Sequence, residues 1–165
     1  MSSSTPEPLR ASVVTVSDSC AQGERPDLSG PAVVQALKKR KFHVVAHETV
    51  PDDQPTIQKI LLKLAEQAQL IVTTGGTGIA PRDVTPEATR AVCDRELEGV
   101  AERMRLEGSR NTPFAALSRA VCGIRGKVLI LNLPGSPSGA VESLEAVVEL
   151  LPHAIQLLSG DTRHG

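Results

Sequence analysis

Aromatic side chains are nearly absent from this chain of 165 residues, which has two phenylalanines, Phe42 and Phe114, and neither tyrosine nor tryptophan. Proteins that hold single-stranded nucleic acids usually stack the bases on several aromatic rings, so this mode of binding is excluded. The formal net charge of -1 also argues against nucleic acid as the main partner, because neutralising phosphates requires a basic face. A planar ligand therefore has to lie against aliphatic side chains and be oriented by backbone hydrogen bonds.

Paired cysteines and long apolar runs are missing as well. Cys20, Cys93 and Cys122 are odd in number, far apart and free of any CxxC spacing. That pattern indicates neither a disulfide framework nor a zinc site, and it is typical of reduced thiols in a cytoplasmic protein. No apolar run approaches the roughly 20 residues that span a bilayer, so we expect no membrane partner. The polar ends predict flexible tails at 1–8 and 161–165 around one domain at 9–160.

Strand and helix patterns alternate along the rest of the chain. Short apolar or β-branched runs predict strands at 11–17, 42–50, 70–74 and 127–134. Helical patterns are predicted at 30–39, from 56 to about 68, at 85–94, 99–108 and 114–120, and at 140–160 with a break at Pro152. This order predicts a three-layer α/β/α domain with a mostly parallel central sheet. Such sheets bind ligands at the carboxyl ends of their strands.

Three polar segments that contain glycine follow predicted strands: SDS…SGP, TTGGTG at 73–78 and LPGSPSG at 133–139. Glycines in TTGGTG allow several main-chain N–H groups to approach an anion, and the threonine hydroxyls add donors. The segment is neither a P-loop nor a GxGxxG dinucleotide fingerprint, because the spacing fails and no Gly-Lys-Ser/Thr follows. A tight turn that needs glycine explains the segment equally well.

Asp83 favours the phosphate-binding interpretation. A carboxylate beside an anion-binding loop is electrostatically unfavourable unless a cation lies between them, and Mg²⁺ prefers one or two carboxylates together with phosphate oxygens. Alternatively, Asp83 and Thr85 cap the helix predicted to begin at Thr85, a role compatible with metal binding. Asp52 is a second acidic position, which a turn after Pro51 would also explain. The polar residues near the first strand serve either as helix caps or as the rim of the same cleft.

Several separated segments together resemble the MogA/MoaB-type molybdopterin-binding family, which includes the gephyrin G domain. The matching segments are VSDS…GERPDLSGP, VPDD, TTGGTG, RDVTPE, LSRAVCGIRG and LNLPGSPSGAVE, in the family's order, and the likeness covers about residues 9–160. The RDVTPE segment makes the chain look closest to the MogA branch.

This resemblance implies a molybdopterin-binding α/β fold, usually a homotrimer, that acts late in molybdenum cofactor biosynthesis. Family enzymes transfer AMP from ATP, with Mg²⁺, to the terminal phosphate of molybdopterin and release pyrophosphate. A partner of the MoeA type, a molybdenum insertase, then uses the adenylylated product. The same fold also occurs in MoaB-type proteins that bind molybdopterin or form a trimer scaffold without transferring AMP, and a generic nucleotide-binding regulator is a third alternative. The presence of both Asp52 and Asp83 favours the enzyme.

The resemblance and the loops together give a set of candidate site residues. Asp83 and Asp52 are the expected catalytic residues, with Mg²⁺ on Asp83. Arg119 either pairs with a phosphate or forms a structural ion pair. PGSPSG departs from the family at Ser136, where relatives can carry Asn or Gln. The expected substrate-binding and nucleotide-binding residues are Ser17, Asp18, Ser29, Gly30, Thr74, Gly75, Gly76, Thr77, Gly78, Ser118, Arg119, Pro134, Gly135, Ser136 and Pro137.

Overall fold

A six-stranded sheet lies at the centre of the protein, whose computed structural model describes residues 6–161. The strands are β1 (Arg10–Val16), β2 (His43–Val50), β3 (Leu70–Thr74), β4 (Arg95–Glu96), β5 (Cys122–Arg125) and β6 (Val128–Leu133). Their order across the sheet is β2-β1-β3-β6-β5-β4. The four strands from β2 to β6 are parallel, whereas β5 runs antiparallel to both β6 and β4. The predicted mostly parallel sheet is therefore confirmed.

Helices cover both faces of this sheet. They are α1 (Asp18–Ala21), α2 (Ser29–Lys39), α3 (Gln54–Leu64), α4 (Thr85–Val92), α5 (Glu98–Gly108), α6 (Pro137–Val147) and α7 (Leu151–Leu158), with 3-10 segments at Pro113–Leu117 and Val148–Leu150. One apolar layer joins α2, α5, α6 and α7 to the sheet, and a second joins α3 and α4 to the opposite face. The predicted three-layer α/β/α architecture is confirmed.

The apolar runs become strands because both of their faces are covered. All five residues of β3 are buried, which explains why LIVTT carries no polar alternation at its start. The stripe of Ile57, Leu61 and Leu64 gives α3 its buried face, and the Asp53 carboxylate accepts from the Thr56 N–H at the start of that helix.

Three parts of the secondary structure differ from the pattern. The sequence pattern does not indicate β4 and β5, because the glycines of CGIRG and the two-residue length of β4 hide the strand signal. The helix predicted at 114–120 is a 3-10 segment ending at Leu117. The long C-terminal helix is divided, and Pro152 lies in the first turn of α7, where proline is tolerated. The predicted tails at 1–8 and 161–165 lie mostly outside the described residues.

The topology brings the carboxyl ends of β1, β3 and β6 side by side at one edge of the sheet. The chain leaves β1 toward β2 on one side and then returns to β3 on the other side, which creates a crevice between β1 and β3. Within residues 6–161, none of the helices combines the length and the apolar character that crossing a membrane requires.

Candidate active site

The loop after β3 presents unpaired main-chain amides. Within residues 6–161, the N–H groups of Gly76, Thr77 and Gly78 donate to no protein acceptor. Gly75 differs from the expectation for TTGGTG, because its N–H donates to the carbonyl of Leu133 at 3.0 Å and is not free to bind an anion. Three adjacent amides therefore remain available to an anionic ligand.

Two glycines in this loop adopt conformations that other residues avoid. The φ angles of Gly75 and Gly76 are 93° and 71°. A side chain at Gly75 would collide with the Val16 carbonyl, and one at Gly76 would collide with the Thr85 hydroxyl. The loop is therefore held directly against the end of β1 and the start of α4, and both positions require glycine.

A cavity of about 510 Å³, which we call the polar cavity, opens at the carboxyl ends of β1 and β3. Its walls come from the loops that follow β1, β2, β3 and β6. The predicted site residues that line only this cavity are Ser17, Ser29, Asp52, Thr74, Gly75 and Pro137. Ser29 is buried, and its hydroxyl lies 2.9 Å from the Thr74 hydroxyl.

A second cavity of about 500 Å³, which we call the adjoining cavity, lies on the other side of the same loop. Met104, Phe114 and Leu117 contribute apolar wall that the sequence analysis did not identify. The predicted residues that line only this cavity are Thr77, Gly78, Ser118 and Pro134. The border between the two cavities consists of residues that line both, namely Gly76, Asp83, Gly135 and Ser136.

Asp52 is held in place by Asp18 and Arg82. The Asp18 N–H donates to one Asp52 carboxylate oxygen at 3.0 Å, and the Asp52 N–H donates to the Asp18 carboxylate at 2.9 Å. Arg82 donates to both Asp18 carboxylate oxygens, at 2.7 and 3.0 Å, and to the Asp52 carbonyl at 2.9 Å. Asp18 lines neither cavity, so the structure gives it a positioning role rather than the predicted substrate contact.

The electrostatics differ between these acidic groups. Burial raises the pKa of Asp52 above its ordinary value of 3.8, and the negative charges of Asp18 and Asp83 act in the same direction. Hydrogen bonds from Arg82 lower the pKa of Asp18. Asp52 is thus a partly buried carboxylate in a negative environment, and a nearby cation would favour its charged form.

Asp83 and Thr85 do not cap α4, contrary to one of the two roles considered from the sequence. Val84 occupies the N-cap position of α4, and no side chain makes a capping hydrogen bond there. The Asp83 carboxylate accepts from the Ala80 N–H at 2.9 Å, and the Thr85 hydroxyl donates to the Gly75 carbonyl at 2.9 Å. Both side chains therefore shape the loop after β3, and Asp83 points into the two cavities.

Arg119 is a structural clamp on the same loop. Its guanidinium donates to the carbonyls of Gly78 and Asp83, each at 2.8 Å, and to the Glu87 carboxylate at 2.6 Å. It lines neither cavity, and its hydrogen bond to Glu87 lowers the pKa of that residue. Of the two interpretations of Arg119, the structural ion pair describes these contacts. Gly30 also lies outside both cavities, packed against Asp27, Thr15 and His47.

Asp52 and Asp83 fit a divalent cation that arrives with a phosphate ligand. Each carboxylate uses its Oδ2 to accept a main-chain N–H, and within residues 6–161 neither Oδ1 accepts a hydrogen bond. No cluster of three or more histidine, cysteine or acidic residues able to hold a metal occurs in that part of the chain. Mg²⁺ commonly uses one or two carboxylates and completes its coordination with phosphate oxygens and water.

The fold and these loops define an α/β protein with two cavities and three unpaired main-chain amides at the carboxyl ends of parallel strands, where sheets of this class bind their ligands. Residues 12–153 match the family described as a probable molybdopterin binding domain, and the chain belongs to that family. The resemblance derived from the six sequence segments is therefore confirmed.

Individual relatives agree with this assignment. The molybdopterin adenylyltransferase of Helicobacter pylori strain J99 is 42% identical over 160 residues, which cover 93% of this chain and 89% of that protein. The molybdenum cofactor synthesis protein cinnamon of Drosophila melanogaster is 43% identical, but this chain spans only 26% of its length. The crystal structure of the molybdopterin biosynthesis enzyme MoaB of Thermus thermophilus is 55% identical, with a TM-score of 0.87 over 92% of this chain and 97% of that one. The chain thus resembles both an adenylyltransferase and a MoaB protein, and its placement in the MogA branch stays a prediction.

Proposed function

We propose that this protein is a molybdopterin adenylyltransferase that acts in molybdenum cofactor biosynthesis. In the reaction, an oxygen of the terminal phosphate of molybdopterin attacks the α-phosphorus of ATP. A new phosphoanhydride bond forms, the bond between the α-phosphorus and the bridging oxygen breaks, and pyrophosphate leaves. The names and coverage of the relatives support this activity, and the site supplies features that the chemistry needs.

The observation that carries the proposal is the shared border of the two cavities. A transfer between two substrates requires their phosphates to meet, and Gly76, Asp83, Gly135 and Ser136 line both cavities. Each cavity has about 500 Å³ of space, within the usual range for a small-molecule site. A protein that binds a single small ligand needs no second cavity at the same loop.

The chemistry of the walls supports a different substrate in each cavity. The polar cavity contains Asp52 and Arg25, charged groups suited to a triphosphate with its cation, and we assign ATP to it. The adjoining cavity contains Met104, Phe114 and Leu117, which offer apolar surface to a planar pterin ring, and we assign molybdopterin to it. The phosphates of both ligands then meet near Asp83.

Asp52 and Asp83 would hold Mg²⁺ together with phosphate oxygens. When bound there, Mg²⁺ would supply positive charge that offsets the phosphates and favours the ionised form of Asp52. Asp18 and Arg82 keep the Asp52 carboxylate in place, and the Ala80 N–H does the same for Asp83.

The remaining contribution is positioning of the phosphates. The free amides at Gly76, Thr77 and Gly78 are donors for phosphate oxygens. The N-terminus of α6 begins directly after Ser136, so its dipole adds positive potential at the border. No protein nucleophile is needed, because the attacking group belongs to molybdopterin.

The wider setting follows the family resemblance. We infer a homotrimer in the cytoplasm, with molybdopterin and ATP as ligands. A molybdenum insertase of the MoeA type would receive the adenylylated product.

The test is to incubate the purified protein with molybdopterin and Mg-ATP, and to separate the products by chromatography. We expect adenylyl-molybdopterin and pyrophosphate in equal amounts, and no product when Mg²⁺ is chelated. The alternative is a MoaB-type protein that binds molybdopterin without transferring AMP. Tight molybdopterin binding without any adenylylated product would support that alternative.

A further inference from the structure

Arg25 is a positively charged side chain that faces the polar cavity. It lies on the loop at 22–28, between α1 and α2, and lines the polar cavity only. Within residues 6–161, no hydrogen bond or ion pair involves the Arg25 guanidinium. Most other arginines in that part of the chain are paired, including Arg82 and Arg119 beside the site. Arg25 therefore remains available to a ligand.

The charges around the polar cavity are unequal. Asp27, Asp52 and Asp83 line it, and Arg25 is the one lysine or arginine among its described lining residues. The Asp27 carboxylate is already engaged by protein groups, because its Oδ2 accepts from the Thr15 hydroxyl at 2.7 Å and lies 3.1 Å from the His47 Nε2. Arg25 is thus the only cationic side chain that this cavity, as lined by the described residues, offers to an anion.

The loop that carries Arg25 is anchored to the sheet. Besides its contacts to Thr15 on β1 and His47 on β2, Asp27 accepts from the Gly30 N–H at 2.9 Å in the first turn of α2. These contacts fix the backbone two residues away from Arg25. The guanidinium is therefore displayed from an ordered support at the exposed rim of the cavity.

We infer that Arg25 binds the β- and γ-phosphates of ATP, an assignment that rests on the proposed adenylyltransferase function. The α-phosphate has to meet molybdopterin at the border of the two cavities, near Asp83. Arg25 does not belong to that border and lines the polar cavity alone. Its guanidinium matches the part of the nucleotide that leaves as pyrophosphate, and a planar fork of N–H donors suits phosphate oxygens.

The test is the affinity of the purified protein for Mg-ATP and for AMP, measured by isothermal titration calorimetry. In Arg25→Gln we expect the Kd for Mg-ATP to rise about 5- to 10-fold, a modest effect because the side chain is exposed to solvent. The Kd for AMP should stay within about 2-fold, because AMP lacks the phosphates that Arg25 contacts. Arg25→Lys should recover part of the loss, since it keeps the charge but not the fork.

Arg95→Gln is the matched control. Arg95 is also exposed, its guanidinium makes no hydrogen bond or ion pair to the described residues, and it lies on β4 outside both cavities. Its substitution should leave both affinities unchanged. Equal affinities for Mg-ATP in wild type and Arg25→Gln would overturn the inference about Arg25 but not the proposed function. The same would follow if Arg25→Gln weakened the binding of AMP as much as that of Mg-ATP. A wild-type protein that binds no Mg-ATP would overturn the proposed function as well.

Discussion

The two cavities share a border but differ in what surrounds it. Several ionisable groups line the polar cavity, and one of them, Asp52, is fixed by hydrogen bonds between loops that follow different strands. The adjoining cavity has apolar wall from Met104, Phe114 and Leu117. Arg105, which also lines this cavity, donates to the main-chain carbonyls of Ser118 and Ala120. Asp83 and Glu142 also line the adjoining cavity, so its apolar wall, rather than an absence of charge, distinguishes it from the polar cavity.

The border residues have to serve both sides at once. A substitution at the border should therefore affect the transfer of AMP itself. A substitution on one wall should affect a single substrate. This difference separates a two-substrate enzyme from a protein that binds one ligand, and the following variants test it.

Asp83→Asn should cause the largest loss. The carboxamide keeps the size of the side chain and an oxygen that can accept the Ala80 N–H, but it removes the charge. We expect AMP transfer to fall roughly 100- to 1,000-fold, the usual cost of losing one electrostatic contribution to a transition state. Molybdopterin binding should persist, because no favourable contact to an anionic ligand is lost. Single-turnover assays and equilibrium binding measure the two quantities, and undiminished transfer would contradict the role of Asp83.

Arg119→Gln should destabilise the loop that supplies the border. Its guanidinium holds the carbonyls of Gly78 and Asp83 and pairs with Glu87. We expect the free energy of unfolding in urea to fall by about 2 kcal/mol, since several hydrogen bonds to a charged group are lost together.

Arg103→Gln is the control for this variant. Arg103 also combines a carbonyl contact, to Ala146, with an exposed ion pair, to Glu149. We expect a loss of less than about 1 kcal/mol there, because exposed pairs contribute little. Similar losses in the two variants would contradict a special role for Arg119. Because Arg119 holds the loop that lines both cavities, an unchanged affinity of Arg119→Gln for both substrates would also contradict this role.

The part of the candidate site formed by loops that follow the parallel strands was predictable from the sequence. Strand ends are recognisable where an apolar run stops at glycine, serine or aspartate, and the carboxyl ends of parallel strands meet at one edge. That reasoning located Asp52, Asp83 and the glycine loop. It wrongly included the Gly75 N–H among the amides available to an anion. That N–H donates to the Leu133 carbonyl, a hydrogen bond that depends on the pairing of β3 with β6.

The adjoining cavity and the arginine contacts were not predictable in the same way. Phe114 and Leu117 belong to a 3-10 segment, whose residues show no amphipathic period to read. Arg82 and Arg119 have partners 64 and 32 residues away in the chain, so their roles follow only from tertiary contacts. Arg25 has no signal in the pattern beyond its position in a polar loop.

The pH dependence of AMP transfer should report on Asp52. Because burial raises the pKa of Asp52 above 3.8, protonation removes its charge at a higher pH than for an exposed aspartate. Transfer should therefore fall as the pH decreases through that raised pKa, and higher Mg²⁺ should move the acidic limb to lower pH by competing with the proton. Asp52→Asn should have lower activity and lack this limb.

Stability should follow a different pH window, which distinguishes it from the activity limb. Hydrogen bonds from Arg82 and Arg119 lower the pKa values of Asp18 and Glu87. The stabilising contribution of these two carboxylates is therefore present above their ordinary values of 3.8 and 4.5, and it is lost as the pH falls through the lowered values. Unfolding by urea at each pH measures this loss. Coincident losses of activity and stability would contradict the assignment of the limb to Asp52.

Phe114→Ala should have the smallest effect and should change only one substrate. The ring lies on the wall of the adjoining cavity, and 74% of its surface is exposed, so little of the protein's own packing depends on it. We expect the KM for molybdopterin to rise about 3- to 10-fold, through lost apolar contact with the pterin, while the KM for ATP stays unchanged. Leu106→Ala removes a similarly exposed apolar side chain outside both cavities and should change neither constant. An increase confined to the KM for ATP would reverse the assignment of the two cavities, because the apolar wall would then belong to the adenine.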